Sequence, residues 1–153
     1  LENNLTVLFV EMVNKAGDCF SQTFTLSGPG KGNISDQDEA GGLSGKLDFE
    51  KVKGLTPASI NVEAIRKQYE EAKAMIPENY TFKSIGDYLI QETVPSGNEF
   101  LDRNKTFGEV KAEFSMNITE NGKEIVESAG KKSVQYYEVT FNVLPDGSVQ
   151  MEE

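Results

Sequence analysis

The chain of 153 residues has no histidine and no tryptophan, one cysteine and five prolines. Without histidine it lacks the side chain whose ordinary pKa lies near neutrality. The usual general base, and the usual partner of a nucleophilic serine or cysteine, are therefore missing. Cys19 has no second cysteine to bridge and reads as a small, half-buried apolar residue. One thiol neither signals nor excludes an oxidising compartment. No apolar run approaches the roughly 20 residues of a membrane-spanning helix. Positive charge is also scarce, with 15 basic residues against 25 acidic ones, a formal net charge of −10 and a pI near 4.6. Such a surface repels phosphate backbones and anionic headgroups, which argues against nucleic acid and membrane partners.

What is present is β-rich. Tyr88 to Val94 is dense in β-branched and aromatic residues, set between a Gly86-Asp87 turn pair and the breaker Pro95-Ser96-Gly97. Alternation places Tyr88, Ile90, Glu92 and Val94 on one face, so a carboxylate sits on the more apolar side. Asn3 to Val13 fits a strand buried on both faces or a passable helix. Its Thr, Val and Phe content favours the strand. Cys19 to Leu26 then forms the return arm of a hairpin. Ser27 to Gly45 is rich in glycine and acids and reads as a long surface loop. Within it, Asp36-Gln37-Asp38-Glu39-Ala40-Gly41 resembles the start of a calcium loop, but Ala40 and Leu47 fall where ligands would be needed, so no metal is expected.

Lys46 to Val52 alternates as a strand. Pro57 to Met75 is the one strong helix, with Pro57 in its first turn, Val62, Ile65, Tyr69, Ala72 and Ile76 as an apolar stripe, and Pro77 closing it. Thr106 to Thr119 alternates Val110, Ala112, Phe114, Met116 and Ile118 against polar residues. A hairpin turn at Glu120 to Lys123, a return from Glu124 to Ser128, a strand from Ser133 to Leu144 and a short arm from Ser148 to Met151 complete the chain.

The motifs Thr23-Phe24-Thr25-Leu26, Gly45-Lys46-Leu47-Asp48-Phe49, Gly86 through Gly97 and Asn121-Gly122 follow one another in an order that resembles a known family. It is that of the prealbumin-like, B-type repeat domains of Gram-positive collagen adhesins and of sortase-assembled pilins. The likeness runs over about 110 residues through short motifs, with the helical segment an insertion. It implies an inverse immunoglobulin sandwich and an intramolecular isopeptide bond between a first-strand lysine and a last-strand asparagine, promoted by a buried acid. Glu92 stands at the acid's place. The nearest lysine to the first strand is Lys15, in the turn after it, and Asn142 lies on the face opposite Tyr137, Val139 and Phe141.

The expected fold is mainly β: an Ig-like or prealbumin-like antiparallel β-sandwich in one domain over residues 1–153, with a helical insertion at about 57–77. The alternative is an α+β fold with the helix packed on a curved antiparallel sheet, as in cystatin-like proteins. The chain opens at Leu1 without Met or a basic leader and so reads as an excised domain or mature fragment. Five Asn-x-Ser/Thr triplets, at Asn4, Asn33, Asn79, Asn104 and Asn117, are glycan acceptors on surface loops if the chain is secreted by a eukaryote. The expected function is a non-catalytic extracellular structural or adhesive module of a cell-surface or pilus protein, without cofactor. Its partners would be a protein or extracellular-matrix ligand, or neighbouring domains. The alternatives are a secreted α+β module binding a protein or small ligand, and a carboxylate-based enzyme, which would need a second acid beside Glu92.

Overall fold

The structure, a computed structural model, describes residues 5–39, 46–96 and 98–152. The chain is mainly β, with antiparallel sheets and, among the described residues, two α-helices. It divides into two compact units. The N-terminal unit comprises Asn3–Gly54 and Glu92–Glu109; the core unit comprises Leu1–Glu2, Leu55–Gln91 and Val110–Glu153.

In the N-terminal unit, β1 (Val7–Val13) and β2 (Cys19–Thr25) form the expected hairpin, in a register that pairs Val7 with Thr25 and Val13 with Cys19. The turn is built by Asn14, whose Oδ1 accepts from the backbone N–H groups of Ala16 at 2.8 Å and Asp18 at 3.0 Å. Gly17 completes it at φ +86, where a Cβ would meet the Leu47 carbonyl at 2.3 Å. β3 (Asp38–Glu39) adds a short third strand beyond β2, so the segment expected as pure loop contributes to the sheet. β1 was expected to be buried on both faces and is not: Val7, Leu8 and Phe9 are exposed. Neighbouring strands of one sheet cover an edge and not a face; a face is buried only where a second layer packs on it, and these side chains are not enclosed by one. Lys46 to Val52 is no strand either. Asp48 accepts from the Glu50 N–H and caps a 3-10 turn over Phe49–Lys51, a local bond that overrides the alternating pattern. A single helical turn, Glu99–Asp102, is capped by Asn98.

In the core unit the helix α1 (Val62–Lys73) starts five residues later than Pro57 would place it. Pro57 belongs to a separate 3-10 turn, and Asn61 is the N-cap, accepting from the Ala64 N–H at 3.1 Å. The sheet consists of β4 (Tyr80–Glu92), β5 (Val110–Glu120), β8 (Tyr137–Val143) and β9 (Val149–Met151), in that order; β6 (Ile125–Ser128) and β7 (Lys131–Val134) form a separate ribbon. β4 runs through Gly86-Asp87, which the sequence marks as a turn. Gly86 is needed for a different reason: a Cβ there would lie 2.2 Å from Ser115 Oγ, so it is a point of close strand approach. The return after Asn121-Gly122 also differs. β6 pairs with β7 across a second turn at Ala129-Gly130, both at positive φ, while β5 takes β8 as its partner.

The core follows from facing periodicities. Phe114, Met116 and Phe141 project from β5 and β8, Tyr69 and Ala72 from α1, and Val149 from β9. Tyr69 meets Phe114 edge-on at 4.6 Å, and Phe114 stacks on Phe141 at 5.3 Å.

Candidate functional site

Glu92 is half-buried at the end of β4, and its carboxylate is fully engaged by main chain. Oε1 accepts from the Lys53 N–H at 2.9 Å and Oε2 from the Gly54 N–H at 2.7 Å. The acid ties the 49–54 segment to the start of the 92–109 segment within the N-terminal unit. Lys15 is exposed on the β1–β2 turn, and no hydrogen bond or ion pair joins it to Glu92. Asn142 belongs to the core unit, in β8, where it faces Glu113 of β5 and Gln150 of β9, half-buried on the side away from Phe141.

Of the calcium-like run, Asp36 and Asp38 are exposed, whereas Ala40 and Gly41 lie outside the described residues. Among the described residues no three His, Cys, Asp or Glu side chains group as a metal would need. Burial, with Glu11 and Asp18 adding to it, pushes the Cys19 thiol up, which keeps it protonated and unreactive.

The sequence did not reveal a polar network inside the core unit. Ser115 donates to the Asp87 carboxylate and accepts from the Asp87 N–H at 3.2 Å. Tyr69 donates to the Asp87 carbonyl at 3.1 Å, and Tyr88 to Gln68 Oε1 at 2.7 Å. Desolvation pushes both phenols up, so they stay neutral donors. A serine on a carboxylate with no imidazole between them has no proton acceptor of the usual kind. The network locks helix to sheet. Alternation along β5 assigns Ser115 to the polar face, whereas Gln68, three residues after Ile65 and four before Ala72, lies on the apolar stripe of α1 as a polar exception.

One shallow concavity lies at the root of the β6–β7 ribbon. It holds about 160 Å³ and is lined by Glu120, Asn121, Lys123, Val126, Gln135 and Tyr137. Its floor is firm. Tyr80 packs edge-on against Tyr137 at 5.6 Å, and Lys83, its side chain only 9% exposed, lies 4.9 Å from the Tyr136 ring centre and 3.8 Å from Glu124. The space admits one side chain or one sugar ring and falls below the roughly 300 Å³ of an ordinary small-ligand site. Above it Ile125 and Val134 face each other across the ribbon, 62% and 64% exposed, next to a Glu127–Lys132 cross-strand pair. This surface carries no reacting pair.

Of the glycan triplets, Asn33, Asn79 and Asn104 are exposed in turns as expected, and Asn4 lies outside the described residues. Asn117 does not sit on a loop. It lies within β5, its amide donating to Ser84 Oγ at 3.1 Å, with Thr119 only 2% exposed, because the alternation of β5 turns this triplet into sheet. Compared with protein families, characterised sequences and solved structures, the chain has no significant match.

Proposed function

We propose that the chain is a non-catalytic extracellular module that acts by adhesion to a protein ligand, with the β6–β7 ribbon and the concavity at its root as the contact surface. The observation that carries this reading is the exposed Ile125–Val134 pair beside Tyr136, an apolar and aromatic group held outward by a ribbon that contributes nothing to the core. Tyrosine beside an apolar anchor and a shallow pocket is the composition of a recognition surface. The acidic body, at net charge −10, suits a secreted, soluble display.

For the core unit we favour the α+β form, a helix on a curved antiparallel sheet. It is supported by Tyr69 and Ala72 packing onto Phe114 and Phe141. Binding to a panel of immobilised extracellular-matrix proteins tests the function. Wild type should bind at least one, and Ile125→Ser with Val134→Ser should weaken it at least about tenfold at unchanged melting temperature. Binding that ignores these substitutions would remove the ribbon from the account.

A further inference from the structure

We propose that the open edge of β1 pairs with β1 of a second copy of this chain, antiparallel about a two-fold axis at Val7. β1 is an edge strand: β2 lies on one side, and among the described residues no strand pairs with the other. Natural edges of this kind are blunted by lysine, proline or a bulge. Here the outermost stretch, Leu5-Thr6-Val7-Leu8-Phe9, has no charge and no proline, and Leu5 and Phe9 are 64% and 59% exposed. Leu5, Val7 and Phe9 point to one face of the sheet and Leu8 to the other, so the exposed apolar surface wraps the edge on both sides. A strand laid alongside covers both sides at once.

The area sets the strength of the contact. Leu5, Val7, Leu8 and Phe9, the apolar side chains of the open strand itself, leave on the order of 400 Å² exposed, which two copies double to about 800 Å², the size of a weak contact that forms with rising concentration. Charge selects the register. Centring the pair on Val7 sets Leu5 against Phe9 and Thr6 against Leu8, with Glu11 beyond the paired stretch. Centring it on Glu11 would set two carboxylates face to face, which is unfavourable. The two-fold makes the contact isologous and closed, giving a dimer rather than a fibre. A dimer presents two ribbons, which would raise avidity for an immobilised ligand. The inference stands whether or not the ribbon binds.

Sedimentation velocity over a dilution series decides it, with Val7→Lys and a crosslinking pair in a Cys19→Ser background. The wild-type chain should dimerise with increasing concentration, and Val7→Lys should raise the dissociation constant at least about tenfold. On oxidation, Val7→Cys should form a covalent dimer, because residues opposite each other at a two-fold have Cα atoms roughly 4.5–5.5 Å apart, whereas Leu8→Cys should not, because its copies lie diagonally. A monomer at every concentration would overturn the proposal, and so would dimerisation indifferent to Val7→Lys or crosslinking equally efficient from Leu8→Cys. The crosslinking arm keeps the test decisive even if Val7→Lys folds poorly.

Discussion

The two units use similar residues to opposite effect. Among the described residues every buried apolar side chain belongs to the core unit, while the N-terminal unit, with Phe9, Phe20, Phe24 and Phe49, has none. In the core unit β5 sorts its residues, with Phe114, Met116 and Ile118 on one face and Glu113, Ser115 and Asn117 on the other, and α1 seals the apolar face. In the N-terminal unit β1 carries large apolar residues on both faces, the unit itself has no long helix among the described residues, and the sheet is three strands wide. Apolar content does not make a core. Sorting it to one face, and placing a lid over that face, does.

The sharpest test of this contrast removes one ring from each unit. Phe114→Ala should cost about 3–5 kcal/mol, because a fully enclosed ring leaves a cavity. Phe24→Ala, from a half-buried site, should cost about 1–2 kcal/mol. Urea unfolding measures both, and equal losses would end the distinction. Glycine gives the next contrast. Gly17→Ala must hold φ +86 and push its methyl into the Leu47 carbonyl, a backbone atom that cannot rotate away, for about 2–3 kcal/mol. Gly86→Ala meets Ser115 Oγ first, a side-chain atom that can turn at the loss of its bond to Asp87, so it should cost less, about 1–2 kcal/mol. If Gly86→Ala proves the more damaging, the close strand approach outweighs the strained turn.

Glu92→Gln should cost the N-terminal unit about 1.5 kcal/mol, since an amide offers one acceptor oxygen to two N–H donors and loses the charge that strengthens both bonds. Hydrogen exchange at Lys53 and Gly54 should speed up while β5 amides hold. Unchanged exchange would mean the segment is pinned by other contacts.

The sequence made legible whatever depends on period alone: the β1–β2 hairpin, the inward set of β5, the Ile65–Tyr69–Ala72 stripe of α1 and the alternation that turns Tyr88, Ile90 and Glu92 to the less exposed side of β4. It obscured what depends on partners. Gly86-Asp87 has turn composition, but its role is to let β4 approach Ser115. Asp48 looks like the outward residue of a strand until its carboxylate caps a 3-10 turn. The return after Asn121-Gly122 looks like half of a simple hairpin, because nothing local reveals that a second turn at Ala129-Gly130 gives β6 its partner in β7. The same limit applies to the candidate site. Tyr80 and Tyr137 come together only because β4 and β8 share a sheet.

Acid provides the gentlest test of the contrast between the units. Three carboxyls are held below the usual aspartate range. Asp18 is lowered chiefly by the Asn14 amide and then by Lys46. For Asp102 partial burial acts in the opposite direction, but the Ser96 hydroxyl and N–H, with Lys105, prevail. Asp146 is lowered by the Ser148 hydroxyl and N–H. A carboxyl whose folded pKa lies below its unfolded value adds stability above the unfolded value, and loses that stability as pH falls through the folded one. The window therefore opens near pH 4 and extends downward. Asp18 and Asp102 sit in the N-terminal unit and Asp146 alone in the core unit, so β2 amides should lose exchange protection earlier on acidification than β5 amides. Ser96→Ala removes the shortest bond to Asp102, at 2.8 Å, and should flatten that acid dependence in the N-terminal unit while leaving β5 untouched. Parallel loss of protection in both strands, with Ser96→Ala inert, would mean that the two units unfold in acid as one body.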